Sequence, residues 1–135
     1  MVYWITWQLG TCAYYELKEA GFDCHDFVTC DKTMNNSIAV YNMMDLEDGW
    51  NEPEQLAGRM LMIIADLKAH RRVIIMCAAG ISRSNGMAMG VLSAYHNLAF
   101  DDAKRIVEKM CPRANPMPDL MDAVKEAVQL INGLF

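Results

Sequence analysis

The sequence contains no run of about eighteen apolar residues, so no membrane-spanning helix is expected. It is also poor in positive charge: 12 Lys and Arg against 17 Asp and Glu give a net charge of −5. Proteins that grip nucleic acid or an anionic membrane over a broad face need clustered cations, so neither partner is expected and any anion site must be local. The opening residues, MVYWITWQLG, lack the basic start and small-residue cleavage pattern of a secretory signal, which makes a cytoplasmic address the expectation. Internal repeats, low-complexity tracts and linkers are missing too. A length of 135 residues, 53% hydrophobic and 21% charged, fits one domain able to bury its own core. The five cysteines (Cys12, Cys24, Cys30, Cys77, Cys111) form an odd set without a recognisable framework, so reduced thiols are expected.

What is present alternates between strand-like and helix-like stretches. Val2 to Gln8 reads as an opening strand ended by Leu9-Gly10, and Thr11 as the cap of a helix over Cys12 to Ala20. His25 to Cys30 and Ser37 to Tyr41 are short strand candidates joined by the polar DKTMNN. The acidic LEDGWNE precedes Pro53 and reads as a loop entering a helix over Pro53 to His70, with Leu56, Met60, Ile63, Ile64 and Leu67 on one face. Val73 to Met76 is a continuous apolar run, as in a central strand covered on both sides. Ser84–Tyr95, Asp101–Met110 and Asp119–Ile131 read as helices, with three prolines turning the chain before the last. The predicted fold is α/β: a short, largely parallel central sheet of four to five strands flanked by helices.

The chemistry gathers where the central strand ends. Cys77 closes the apolar run, and Arg83 follows six residues later; the same offset from the other four cysteines meets Lys18, Cys30, Asn36 and Met117. Between them stand Ala78, Ala79, Gly80, Ile81 and Ser82, mostly small or flexible residues that let successive backbone N–H groups turn around an anion. Ser84 sits where a helix would begin, adding unpaired donors and the positive end of the helix dipole. Such a nest holds phosphate. Donors, dipole and guanidinium all favour a thiolate at Cys77, and thiolate is the nucleophile. Arg83 is suited to grip two phosphoryl oxygens with its planar fork. These residues imply phosphoryl transfer through a cysteinyl-phosphate.

CAAGISRS resembles the signature loop of the cysteine-dependent protein tyrosine phosphatases, and the short chain with its late loop is most similar to the dual-specificity branch. WQLGTCAYYELKEAGF resembles that family's early strand, Gly turn and helix, and CPRANPMPDLMDAV its Arg-x-x-Asn-Pro segment. The resemblance implies that Ser84 stabilises the thiolate as a leaving group, and that a general acid stands on a loop after an earlier strand. Asp45 fits that place best, since it follows SIAVYNMM and precedes Cys77 by 32 residues; Asp48 is the rival and Glu47 a weaker one. The family's usual His before the nucleophile is replaced by Met76, which fills volume but donates no hydrogen bond.

With Ala78, Ala79 and Ile81 adding no charge to the loop, a phosphorylated protein is the expected substrate, and the resemblance implies a shallow pocket open to phosphotyrosine and phosphoserine or phosphothreonine. The other readings are a phosphate-binding module with little turnover and a phosphatase acting on RNA 5′ ends or another non-protein phosphate. No metal or cofactor is implied, and a monomer is compatible with the sequence. Cys24, His25 and Cys30 lack the second ligand pair of a metal site, and His70 and His96 read as helix-end surface residues. The twelve methionines read as core filler, and Cys111 as partly buried. Cys12 and Cys24 are candidates for a disulfide that protects an oxidised Cys77.

Overall fold

The computed structural model describes residues 1–19 and 38–134. In chain order these form β1 (Tyr3–Trp4), β2 (Leu9–Ala13), α1 (Tyr14–Glu19), β3 (Ile38–Asn42), α2 (Pro53–Lys68), β4 (Arg72–Cys77), α3 (Arg83–His96), α4 (Phe100–Met110) and α5 (Pro118–Asn132). The sheet runs in the order β1-β2-β4-β3. β2 and β3 lie parallel to β4, while β1 pairs antiparallel with β2 at the edge. The expected α/β architecture is therefore present, with four strands among the described residues.

β4 is central because its residues can be buried on both faces. Alternation along a strand sends Val73, Ile75 and Cys77 to one side and Ile74 and Met76 to the other. The first set joins the large core under α2, α3 and α5, with Ile63, Met60, Val91 and Val124. The second joins a smaller cluster with Cys12, Val40 and Leu17 of α1. Truncating a fully buried Ile75 to alanine in such a packed layer costs about 2–5 kcal/mol.

α3 is buried along most of its length, from Ser84 to Ser93, so it must pack closely against several neighbours. Gly90 makes this possible: a Cβ there would lie 2.6 Å from Met60 Cε and 2.7 Å from Val124 Cγ1. Proline in the first turn starts both α2 and α5, where a missing N–H costs no helical bond. Together these contacts fix α3, and with it the loop joining it to β4.

The N-terminal reading needs correction. Val2–Gln8 is not one strand: β1 stops at Trp4, and Thr6 Oγ1 accepts the amides of Gln8 at 3.2 Å and Leu9 at 3.0 Å, which turns the chain back. Leu9 and Gly10 begin β2 instead of ending a strand, and Thr11 and Cys12 lie in β2, so Thr11 caps no helix. The expected strand at His25–Cys30 and the candidate metal residues Cys24, His25 and Cys30 lie outside the described residues. His70 and His96 are exposed, and Cys111 is fully buried, more deeply than expected. No helix of the described residues is long and apolar enough to cross a membrane.

Candidate active site

Strand β4 delivers Cys77 to the sheet's C-terminal edge, and α3 begins at Arg83, so residues 78–82 must form a tight loop. Its shape comes from outward-turned carbonyls. Gly80 O accepts Arg113 Nε–H and Asn85 Nδ2–H, each at 3.0 Å. Ile81 O accepts Asn85 Nδ2–H at 3.1 Å and the Asn115 amide at 3.0 Å. In a trans peptide the following N–H points opposite to the carbonyl, so the amides of Ile81 and Ser82 turn to the loop's other side. Asn85 can serve both carbonyls because Thr11 Oγ1–H donates to its Oδ1 at 2.8 Å, which fixes the amide's orientation.

Gly80 adopts φ +69°, a conformation that other residues enter at a cost. Space forbids a side chain as well, since a Cβ would lie 2.5 Å from Arg113 Nη2 and 2.7 Å from the Ala13 nitrogen. Cys77 is only 2% exposed, and its Sγ lies 3.3 Å from Ser84 Oγ, close enough for the hydroxyl to donate to a thiolate. Ser82 precedes α3 without capping it. Its hydroxyl instead donates to Asp48 Oδ1 at 2.5 Å and accepts the Met117 amide at 3.0 Å. Ala78 and Ala79 begin the loop, and Ile81 stands 40% exposed on its rim.

The acidic loop after β3 folds against this structure. Arg83 Nη1 donates to Met44 O at 2.8 Å and Leu46 O at 3.0 Å, the carbonyls on either side of Asp45. Within the loop, Asn51 binds Glu47 through both backbone groups, and Met44 N–H donates to Asn42 Oδ1 at 2.8 Å. The Asp45 carboxylate is engaged by Arg59 of α2, Nη1 to Oδ1 at 2.7 Å and Nη2 to Oδ2. Hydrogen bonding from Arg59 holds the Asp45 carboxyl below its usual range against the opposing effect of burial, and the charges of Arg59 and Arg83 lower it further. The structure thus brings Cys77, Gly80, Ser82, Arg83, Ser84, Asp45 and Asp48 into one region. Glu47 is exposed and tied by its backbone to Asn51.

Residues not singled out from sequence support the loop from behind. Glu16 accepts the Ala13 amide at 2.8 Å, Arg113 Nη2–H, and the Met1 ammonium at 2.5 Å. Burial opposes its ionisation, but hydrogen bonds from Arg113, the ammonium and Ala13 prevail and hold its carboxyl at about 2. Met76 is fully buried beside Cys12 and Asn42, its register partners. Cys12, also fully buried, faces that layer, whereas Cys77 faces the large core. Burial, with Glu16 and Cys77 adding to it, pushes the Cys12 thiol to about 12. The resemblance segments CPRANP and WQLGTCAYYELKEAGF contain Arg113, Thr11 and Glu16 without assigning them these contacts, and Asn85 and Arg59 carried no signal.

No protein-family model and no curated protein matches the sequence. Solved structures do match in shape. Tk-PTP in its active form superimposes at a TM-score of 0.69 and 19% identity, covering 95% of this chain and 96% of that one. A single-substitution variant of human DUSP28 gives 0.69 at 13% identity, over 99% and 98% of the two chains. A leucine-rich repeat and phosphatase domain protein from Entamoeba histolytica gives 0.74 at 12% identity, over 98% and 94%. With a mostly parallel sheet, a strand-loop-helix at its C-terminal edge and likeness over nearly the whole length, the chain has the fold of the small dual-specificity phosphatases.

Proposed function

We propose that this protein is a cysteine-dependent phosphatase that hydrolyses phosphate monoesters on proteins, on tyrosine and on serine or threonine. The observation that carries the reading is the placement of Cys77 Sγ 3.3 Å from Ser84 Oγ, beneath a loop whose carbonyls turn outward and whose arginine reaches the acidic loop. The amides of Ile81 and Ser82 and the α3 N-terminus would hold phosphoryl oxygens. Arg83 uses Nη1 on the acidic loop, and Nε and Nη2 would grip the phosphate.

The Cys77 thiolate attacks phosphorus, the bond from phosphorus to the ester oxygen breaks, and the Asp45 carboxyl gives that oxygen its proton. Water then attacks the cysteinyl-phosphate, Asp45 takes the water's proton, and Ser84 donates to the departing thiolate. Breadth toward phosphorylated side chains is supported by the open rim, where Ile81 and Met117 are 40% and 47% exposed and carry no charge. A phosphoinositide is the alternative non-protein phosphate, since PTPMT1, crystallised with PI(5)P, matches over 69% of this chain at a TM-score of 0.56.

A phosphate-binding module with little turnover is the second reading, favoured by Met76 before the nucleophile and by the ion pair that engages Asp45. Aryl phosphate hydrolysis that vanishes in Cys77→Ser and slows in Asp45→Asn supports the enzyme. Phosphate binding without turnover supports the module. Competition among phosphopeptides, RNA 5′-triphosphates and phosphoinositides then assigns the substrate class.

A further inference from the structure

Asp45 lies between two guanidinium groups that treat it differently. Arg83 holds the backbone on either side of it through Met44 O and Leu46 O, which fixes the residue at the phosphate loop. Arg59, on the facing turn of α2, takes the side chain, one nitrogen on each carboxylate oxygen. The Arg59 side chain is 18% exposed and the Asp45 side chain 30% exposed, so the pair is partly shielded from water. Arg59 Nη1 also lies 3.8 Å from Met43 Sδ, which helps seat the guanidinium. Asp48, the neighbouring carboxylate, is turned to Ser82.

A two-oxygen pair of this kind suits a carboxylate and not a carboxylic acid. Protonation places a hydrogen on one oxygen, which removes the charge that strengthens the pair and sets that hydrogen against an Arg59 N–H in the plane of the fork, so the proton and the second Arg59 bond compete. Donating a proton to a leaving group needs that same oxygen. A phosphate dianion in the loop changes the balance, because it engages Arg83 and adds negative charge beside Asp45, and nearby negative charge favours the neutral carboxyl. Proton donation leaves Asp45 ionised, the form that water activation in the second step needs, and the nearby Arg59 charge favours that form.

We propose that Arg59 is a positioning residue that holds Asp45 by both oxygens while the phosphate loop is empty and releases one of them when phosphate occupies it. The inference rests on Asp45 as the general acid and base. The charged groups acting on Asp45 are Arg59 from α2 and Arg83 from the start of α3. Arg59 therefore withholds the acid from the empty site and favours the base in the second step.

The test compares wild type, Arg59→Met, Arg59→Lys, Asp45→Asn and the double variant Arg59→Met/Asp45→Asn. The substrates are phenyl phosphate, whose poor leaving group needs a proton, and p-nitrophenyl phosphate, whose leaving group needs it less. Arg59→Met is expected to move the alkaline limb of kcat/KM for phenyl phosphate to higher pH, and the rate on that limb should rise about tenfold for each pH unit the limb moves. p-Nitrophenyl phosphate should change little in kcat/KM but show a larger burst, as slower water activation lets the intermediate accumulate. Arg59→Lys should fall between, and the double variant should match Asp45→Asn. An unmoved limb in Arg59→Met, or an equal loss on both substrates with a lowered thermal midpoint, overturns the proposal. An Asp45→Asn variant as fast as wild type on phenyl phosphate overturns the underlying assignment of the acid, a result distinct from either.

Discussion

Arg113 Nε–H donates to the carbonyl of Gly80 at 3.0 Å, and Arg113 Nη2 fills the space where a Gly80 side chain would begin. The loop of residues 78–82 is thus pressed between its own left-handed turn and an arginine 33 residues away. Gly80→Ala meets both obstacles, the positive φ and the clash with Arg113 and the Ala13 backbone. The backbone cost alone is about 1 kcal/mol, and the displaced loop adds to it. The expected outcome is a thermal midpoint lowered by several degrees and aryl phosphate turnover reduced by about a hundredfold or more. Calorimetry and steady-state kinetics on the same preparation check both.

Glu16 ties the far end of Arg113 and should leave its mark on acid stability. Its carboxyl is held at about 2, below the ordinary glutamate value near 4.3, so the stability it contributes is fully present above that ordinary value. That contribution is lost as pH falls from about 4.3 toward about 2, where the folded protein also takes up the proton. Glu16→Gln removes the charge facing Arg113 and is expected to cost about 2 kcal/mol at neutral pH. Denaturant titrations across this range should show the gap between wild type and variant narrowing as pH falls. A gap constant with pH contradicts the ion pair's role.

The strand, loop and helix around Cys77 were legible because each is specified locally. Four consecutive apolar residues from Val73 to Met76 mark a strand buried on both faces, and small residues followed by arginine and serine mark the turn. The N-terminal hairpin was not legible, since its turn is made by the Thr6 hydroxyl, and Gly10, which looks like a turn residue, lies inside β2. Gly10 is needed there because a Cβ would lie 2.9 Å from Val2 Cγ1 and 3.0 Å from the Trp4 ring. The ion pairs of the site join residues 14 and 97 positions apart, Asp45 with Arg59 and Glu16 with Arg113. Such pairings are set by how helices dock, and neither composition nor periodicity encodes them.

Thiol reactivity should separate the cysteines. Cys77 borders the loop of residues 78–82, whereas Cys12 is fully buried in the opposite layer, with its thiol pushed to about 12. Iodoacetamide at neutral pH is expected to modify Cys77 first, inorganic phosphate should protect it, and Cys12 should react only on unfolding. Because Cys12 and Cys77 face opposite sides of the sheet, mild peroxide should leave Cys12 reduced. Peptide mass spectrometry reads all three outcomes, and a Cys12–Cys77 disulfide formed in the folded protein contradicts the last.

Asn85 is the side chain on which the loop's curvature depends most directly. Its Nδ2 group supplies both Gly80 O and Ile81 O, and Thr11 Oγ1–H holds its Oδ1 from the adjacent strand. Asn85→Ala leaves the fully buried Thr11 hydroxyl without its acceptor and leaves Gly80 O to Arg113 and Ile81 O to the Asn115 amide alone, which loosens the outward turn of both carbonyls. The expected loss is about 2–4 kcal/mol of stability, with weakened inorganic phosphate inhibition and lower kcat/KM. Thr11→Val keeps the volume and removes only the hydroxyl that orients the amide, so it should lower stability by about 1 kcal/mol and affect phosphate binding less. If Asn85→Ala destabilises the fold yet binds phosphate as tightly as wild type, the outward carbonyls are not what shapes the anion site. The comparison of the two variants separates the loop's geometry from the stability of the sheet beneath it.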